Sequence, residues 1–319
     1  MDKNYLDVYK NKKTFPKKSR RKQYRVPEGG ILVQRSAKDK VIFSIAFCVL
    51  LIHCITLFVP IVWMVVSSFK EKFEYLDAIN KFSFPEQGWR FSNYIEAINE
   101  MSIDDNTSYL TMFFNSVWYT GIGTFFTVFM PTMTGYLLSK YQFRGRDFIY
   151  GMAITLMLVP VVGTSGANMK FLAEIGIYNT PWYVVYSTIG CGLGGHFLVY
   201  YGFFKSVSWS YAEAVQLDGG GHFTIFFRIM LPQAFPIMMT FAITDSIARW
   251  NTYEPILMYL PDWHTLASGL YAFQTVMNRF QNWPVYFAGL TLSIIPPIII
   301  FILFSGKIMQ SVSVGGLKG

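Results

Sequence analysis

Charge is what this sequence most lacks. Asp, Glu, Lys and Arg make up 14% of its 319 residues, while 52% are hydrophobic and 18% aromatic. Soluble globular domains carry about a quarter charged residues, so a soluble enzyme or binding domain is excluded. Composition leaves an all-α polytopic membrane protein. Inside lipid every backbone N–H and C=O must be paired within the chain, which favours helices throughout. Even the strand-like run at residues 183–186 is therefore expected to be helical. Cysteine is nearly absent too. Cys48, Cys54 and Cys191 fall in apolar stretches without metal-ligand spacing, so they read as small buried hydrophobes with no redox or metal role. Nor does the chain contain G-x-x-x-x-G-K-[ST], H-E-x-x-H or G-x-S-x-G. No ATP-cradling loop, catalytic residue, metal or cofactor is expected.

The few charges are unevenly placed. The formal net charge is +8, and the run KNKKTFPKKSRRKQYR at residues 10–25 precedes the first apolar segment. Residues 1–40 thus read as a basic cytoplasmic tail under the positive-inside rule, resting on anionic lipid rather than on nucleic acid. The following apolar segment is too long, and its basic leader too extended, for a cleaved signal peptide. Residues 41–319 are expected to form the transmembrane domain, with spans near 41–69, 110–138, 148–162, 182–204, 236–257 and 284–304. Six spans place both termini in the cytoplasm and put the basic loop KYQFRGRD at residues 140–147 on the same side. Pro60 should kink the first span, and His53 should pack toward other helices. Residues 70–107 are acid-rich and read as outer, with a short amphipathic helix over 91–100 capped by Ser92 or Asn93. Gly121, Gly123 and Gly135 should allow close helix approach in the second span. Pro160 to Gly166 suggests an unwound end of the third. Gly190, Gly192, Gly194 and Gly195 mark a hinge or tight packing in the fourth.

One polar stretch interrupts this pattern: YAEAVQLDGGGHFTIFFRIMLPQAFP at residues 211–236. Glu213 to Leu217 is a short helix former, stopped by Asp218-Gly219-Gly220-Gly221. A second run follows with Phe223, Phe226, Phe227 and Met230 at helical spacing, ending at Leu231-Pro232. This is a helix–turn–helix held between two spans, larger than a mere connection requires. It resembles the EAA loop of ABC-importer permeases, written E-A-A-x-x-D-G-A-x5-F-x2-I-x-L-P. Eight positions match: Glu213, Ala214, Asp218, Gly219, Phe226, Ile229, Leu231 and Pro232. Val215 and Gly220 stand where the pattern has Ala, and the extra glycine is expected to loosen the turn.

The resemblance covers about 110–319, including Asn115-Ser116 at the start of the second span and Gly315 to Gly319 at the end, and is to the carbohydrate-type, maltose-permease-like family. It implies a six-span importer-permease fold of the type I kind in the bacterial cytoplasmic membrane. It also implies a second, similar permease subunit, two cytoplasmic ATP-binding subunits and an extracytoplasmic solute-binding protein docking at the outer face. Glu213, Ala214, Asp218, Gly219, Phe226, Leu231 and Pro232 would couple to the ATPase, with Asp218 capping the second helix and Gly219 allowing the turn. The expected function is import of a sugar or oligosaccharide by alternating access.

The fifth span carries Asp245, Arg249, Trp250 and Asn251. Charges in a span normally face a bundle interior or a water-filled cavity. Asp245 and Arg249 are one helical turn apart and could pair with each other. The alternative is that all four line the passage, with polar groups for sugar hydroxyls and an aromatic face for sugar C–H bonds. Trp263 and Tyr271 would sit at the outer mouth or in an interfacial belt. Two rivals remain. One is an ABC permease for peptides, amino acids or phosphonates. The other is an ATP-independent secondary transporter, which would need inverted repeats or proton-relay carboxylates; no convincing internal repeat is found.

Overall fold

The computed structural model describes residues 37–77, 83–102, 107–159 and 163–315, with side chains placed between 41 and 303. The basic tail through residue 36, the residues at 160–162 and the final Gly316–Gly319 lie outside the described residues, as do the expectations attached to them. Those described hold helices and no strand, the region at 183–186 included.

The chain divides into two units, residues 1–58 and 59–319. In the first, the described residues form the N-terminal part of α1 (Ala37–Ser67). Its apolar side chains run all round the helix, as in a lipid-facing span. Cys48 and Cys54 are exposed there rather than buried, and so is His53. An apolar residue of a span can face lipid as readily as protein. α1 continues through Pro60 to Ser67.

The second unit is built around α4 (Tyr109–Lys140). α8 (Gly195–Ser206) and α11 (Leu231–Asn251) pack along it. Close approach is set by missing side chains: a Cβ on Gly135 would lie 2.8 Å from Tyr200 Cβ and 2.9 Å from the Tyr201 amide nitrogen. A Cβ on Gly123 would lie 2.9 Å from Arg249, whereas Gly121 faces open space. The glycine cluster of the fourth expected span breaks it. α7 (Trp182–Ile189) ends in a tight turn at Gly190–Leu193, Gly194 is extended, and α8 begins at Gly195. Thr134 of α4 donates its hydroxyl to the Gly192 carbonyl, so the break is also a packing point. α5 (Arg146–Leu158) is 13 residues long, about 20 Å at 1.5 Å per residue. Among the described residues, four helical segments are long and apolar enough to span a bilayer: Val41–Ser67, Tyr109–Lys140, His222–Asn251 and Trp283–Leu303.

Short helices close one end of this bundle: α2 (Lys72–Leu76), α3 (Ser92–Glu100), α6 (Ser165–Glu174), α12 (Glu254–Tyr259) and α13 (Leu266–Phe280). α3 has no side-chain cap. Asn93 is buried instead and donates to the carbonyls of Ser68 (2.7 Å) and Lys70 (2.8 Å), fastening α3 to the end of α1. Burial pushes the Lys70 ammonium below the ordinary lysine range, partly offset by Glu74 and Glu86. Asn115 donates to the His264 carbonyl and Ser116 Oγ accepts from the Leu266 amide, clamping the turn before α13 onto α4. The last helix, α14 (Trp283–Gly315), packs against α11, α13 and α3.

Candidate functional site

At the opposite end of α4 the polar stretch folds as its sequence predicts, then departs from it. α9 (Ser210–Leu217) ends on Asp218, and Gly219 takes φ +78°, a conformation that L side chains rarely adopt. Asp218 therefore closes the first helix instead of capping the second. The residue before α10 (His222–Thr224) is Gly221, which has no side chain to cap with. From His222 the helix runs without interruption to Asn251. A wider, π-helical turn at Ile225–Met230 joins α10 to α11. Pro232 lacks an N–H, so the regular bonding pattern must change near this point. The expected start of the fifth span at Pro236 thus gives way to a single rod that includes the second half of the loop.

The loop is docked, not dangling. Ala212, Ile225, Phe226, Met230 and Ala234 are buried against Val128, Tyr136, Tyr200 and Phe204 of α4 and α8. The Phe226 and Tyr136 rings are 4.9 Å apart. Tyr141 Oη lies 2.9 Å from His222 Nδ1, and Lys140 Nζ donates to the Val207 carbonyl. The other face is open: Glu213, Ala214, Asp218 and Gly219 are exposed, with Leu217 88% and Phe223 82% exposed beside them. Of the candidate coupling residues, those four face outward, Phe226 anchors the fold, and Leu231 and Pro232 sit where the rod leaves the loop.

The polar residues of α11 divide between two clefts. Asp245 Oδ2 lies 3.5 Å from His196 Nδ1 of α8. Arg249 Nη2 donates to Thr127 Oγ1 of α4 at 2.5 Å. The anticipated Asp245–Arg249 pair does not form within 4.0 Å, because the flanking helices offer each group a cross-helix partner. Asp245 and Arg249 border a cleft of about 340 Å³ that also takes in Tyr119, Thr127, Tyr183 and Ser187. Trp250 turns the other way. It is buried, its indole N–H donates to the Ser293 carbonyl at 3.2 Å, and its ring meets Phe113 edge-on. Trp250 and the exposed Asn251 border a second cleft of about 350 Å³, where Tyr253 and Tyr271 stack with centroids 4.7 Å apart. Trp263 is tied inward, donating to the Asn179 carbonyl and packing on Trp118. Sequence reasoning missed His196 and Thr127. A lone histidine after a glycine cluster was the only signal for the first, and nothing marked the second.

No cluster among the described residues could hold a metal ion. A profile described as "Binding-protein-dependent transport system inner membrane component" matches residues 128–314. The chain is 30% identical to a probable ABC transporter permease protein, YurM, of Bacillus subtilis, over 85% of this chain and 87% of the relative. It is 27% identical to the diacetylchitobiose uptake system permease protein NgcG of Streptomyces coelicolor, over 89% and 91% of the two chains. Identity to the trehalose/maltose transport system permease protein MalG of Thermococcus litoralis is 25%, over 82% and 91%. In three dimensions it superposes on a chain from the crystal structure of a bacterial ABC transporter involved in the import of the acidic polysaccharide alginate. The TM-score is 0.69 at 20% identity, covering 85% of this chain and 98% of that one, which establishes a shared fold. The chain therefore belongs to the binding-protein-dependent transport system inner membrane components, the multi-pass, non-catalytic permease subunits of ABC importers, whose ATPase resides in separate subunits.

Proposed function

We propose that this chain forms one half of a translocation path for a sugar or oligosaccharide, handed over by an extracytoplasmic solute-binding protein. Its loop at residues 210–224 is gripped by a cytoplasmic ATPase subunit. The single observation carrying this reading is the unbroken rod from His222 to Asn251. One end bears the exposed Glu213–Gly219 surface through the docked loop, and the other bears Asp245, Arg249 and Asn251. A push on the loop reaches the polar end through the turn at Gly219–Gly221 and then along one continuous helix. Thr244, Ala248 and Asn251 are exposed along α11, a face of small and polar residues suited to a wet passage or to close packing with a second, similar permease. Two such permeases and two ATPase subunits would complete the importer.

The six-span topology with both termini cytoplasmic needs two further crossings. α5 would be the third, and the broken α7–α8 pair the fourth. Discontinuous helices are tolerated at membrane depth where they line a cavity or are covered by protein, and the 340 Å³ cleft borders α7. Sugar cargo is favoured over peptides, amino acids or phosphonates because the named relatives include diacetylchitobiose and trehalose/maltose systems. Uptake into vesicles containing this chain, its partner permease and the ATPase subunits tests the reading. Uptake is expected to require ATP and the loaded binding protein and to stop with vanadate. Uptake that runs on an ion gradient and ignores vanadate would overturn it.

A further inference from the structure

The turn that ends α9 obeys a specific hydrogen-bond arrangement. The Gly219 amide donates to the Gln216 carbonyl at 3.0 Å and the Gly220 amide to the Val215 carbonyl at 2.8 Å. With Gly219 left-handed, this is a Schellman closure. In such closures the residue two past the cap makes an apolar contact with the third residue from the helix end. Here those residues are Gly220 and Val215. Gly220 is not in the left-handed region, so its backbone does not demand glycine. Space does. A Cβ on Gly220 would run into Val215 Cγ1 and come within 3.0 Å of the Val215 carbonyl oxygen, with Thr224 Cγ2 3.5 Å away.

Val215 and Gly220 are also the two positions of the loop that depart from its family pattern, each replacing an alanine. One side chain has grown and the other has vanished, on either side of a single contact. The extra glycine leaves no gap in the turn: a Val215 methyl occupies the volume where its Cβ would stand.

We propose that Val215 and Gly220 act as one size-exchanged pair that sets the pitch of the loop tip, and thereby positions Glu213 and Asp218 against the ATPase subunit. They are positioning residues, and the proposal rests on the reading of this loop as the coupling element. Adding a methyl at 220 alone pries the turn from α9 and shifts the exposed face. Shrinking Val215 at the same time removes the clash with its Cγ1 and leaves only the 3.0 Å approach to its carbonyl oxygen.

The test is the ratio of solute taken up to ATP hydrolysed in vesicles holding the complete complex. Gly220→Ala is expected to lower that ratio by about tenfold, as overpacking a closed contact displaces its neighbours. Val215→Ala/Gly220→Ala should return it to within about threefold of the parent, since coupled neighbours compensate non-additively. A Gly220→Ala complex that keeps its ratio overturns the proposal, as does a double variant no better than the single. Should Gly220→Ala fail to assemble, recovery of assembly and ratio in the double variant supports the pair, and failure to recover refutes it. Glu213→Lys separates this proposal from the reading beneath it. If the loop does not couple at all, Glu213→Lys leaves the ratio unchanged. If only the pair is wrong, Glu213→Lys uncouples and Gly220→Ala does not.

Discussion

Arg249 directs its guanidinium to Thr127, across the helix interface, and not to Asp245 one turn back on its own helix. That choice makes Thr127 worth more than its neighbour. Thr124, one turn earlier on α4, has a buried hydroxyl with no hydrogen-bond partner. Thr127→Val is therefore expected to cost about 1–3 kcal/mol, because a charged donor loses its acceptor. Thr124→Val should be neutral or slightly stabilising, since it removes a desolvated hydroxyl that bonds to nothing. Thermal unfolding of the purified protein in detergent compares the two directly; equal losses would contradict the assigned hydrogen bond. At Lys70 the sign of a pH effect can be worked out. Burial holds its folded-state pKa below the unfolded value, so the unfolded chain binds more protons and stability rises as pH climbs from the folded toward the unfolded pKa. Lys70→Met should abolish that alkaline gain, which denaturation across pH 8–11 in detergent (roughly the range below and through the free-lysine pKa) would reveal.

Individual helices and turns carry the next set of consequences. The α4–α8 contact closes over Gly135, and an added methyl there meets backbone as well as side chain. Gly135→Ala should cost about 1–3 kcal/mol through overpacking, whereas Gly121→Ala, facing open space, should be tolerated; expression and unfolding of the two variants check this. In the loop, Glu213→Lys or Gly219→Asp should leave insertion intact while uptake per ATP falls. For Gly219 the cause is a left-handed residue that an L side chain strains. Coupled uptake at parental levels in both would refute the assignment. The loop's helix–turn–helix was legible because Asp218-Gly219 stops one periodic run and Phe223, Phe226 and Met230 open another. Its junction with the span was not. Pro232 and Pro236 look like breaks, yet the helix continues through both, with a wider turn just before Pro232. The partners of Asp245 and Arg249 were illegible for a different reason. They come from other helices, and one-dimensional spacing reports only neighbours on the same one. The glycine cluster at residues 190–195 signalled a hinge or tight packing in the fourth expected span; the structure shows a helix break there, which Thr134 holds.

Across the whole molecule, the removal of one nucleotide should decide the mechanism: vesicles with every subunit present but depleted of ATP are expected to take up no solute above background, even with saturated binding protein outside. The rod from His222 to Asn251 has a further consequence. Its 30 residues measure about 45 Å end to end at 1.5 Å per residue, longer than the hydrocarbon layer of about 30 Å. A tilt of about ten degrees around its midpoint would carry the two tips about 4 Å in opposite directions, given that length. In the proposed mechanism the assembly would then behave as a see-saw, with the motor stroke at one tip and the gate at the other. Inserting a compliant pair of glycines at mid-beam should cause idling, with fuel burnt and no load moved, even though the grip on the motor is untouched.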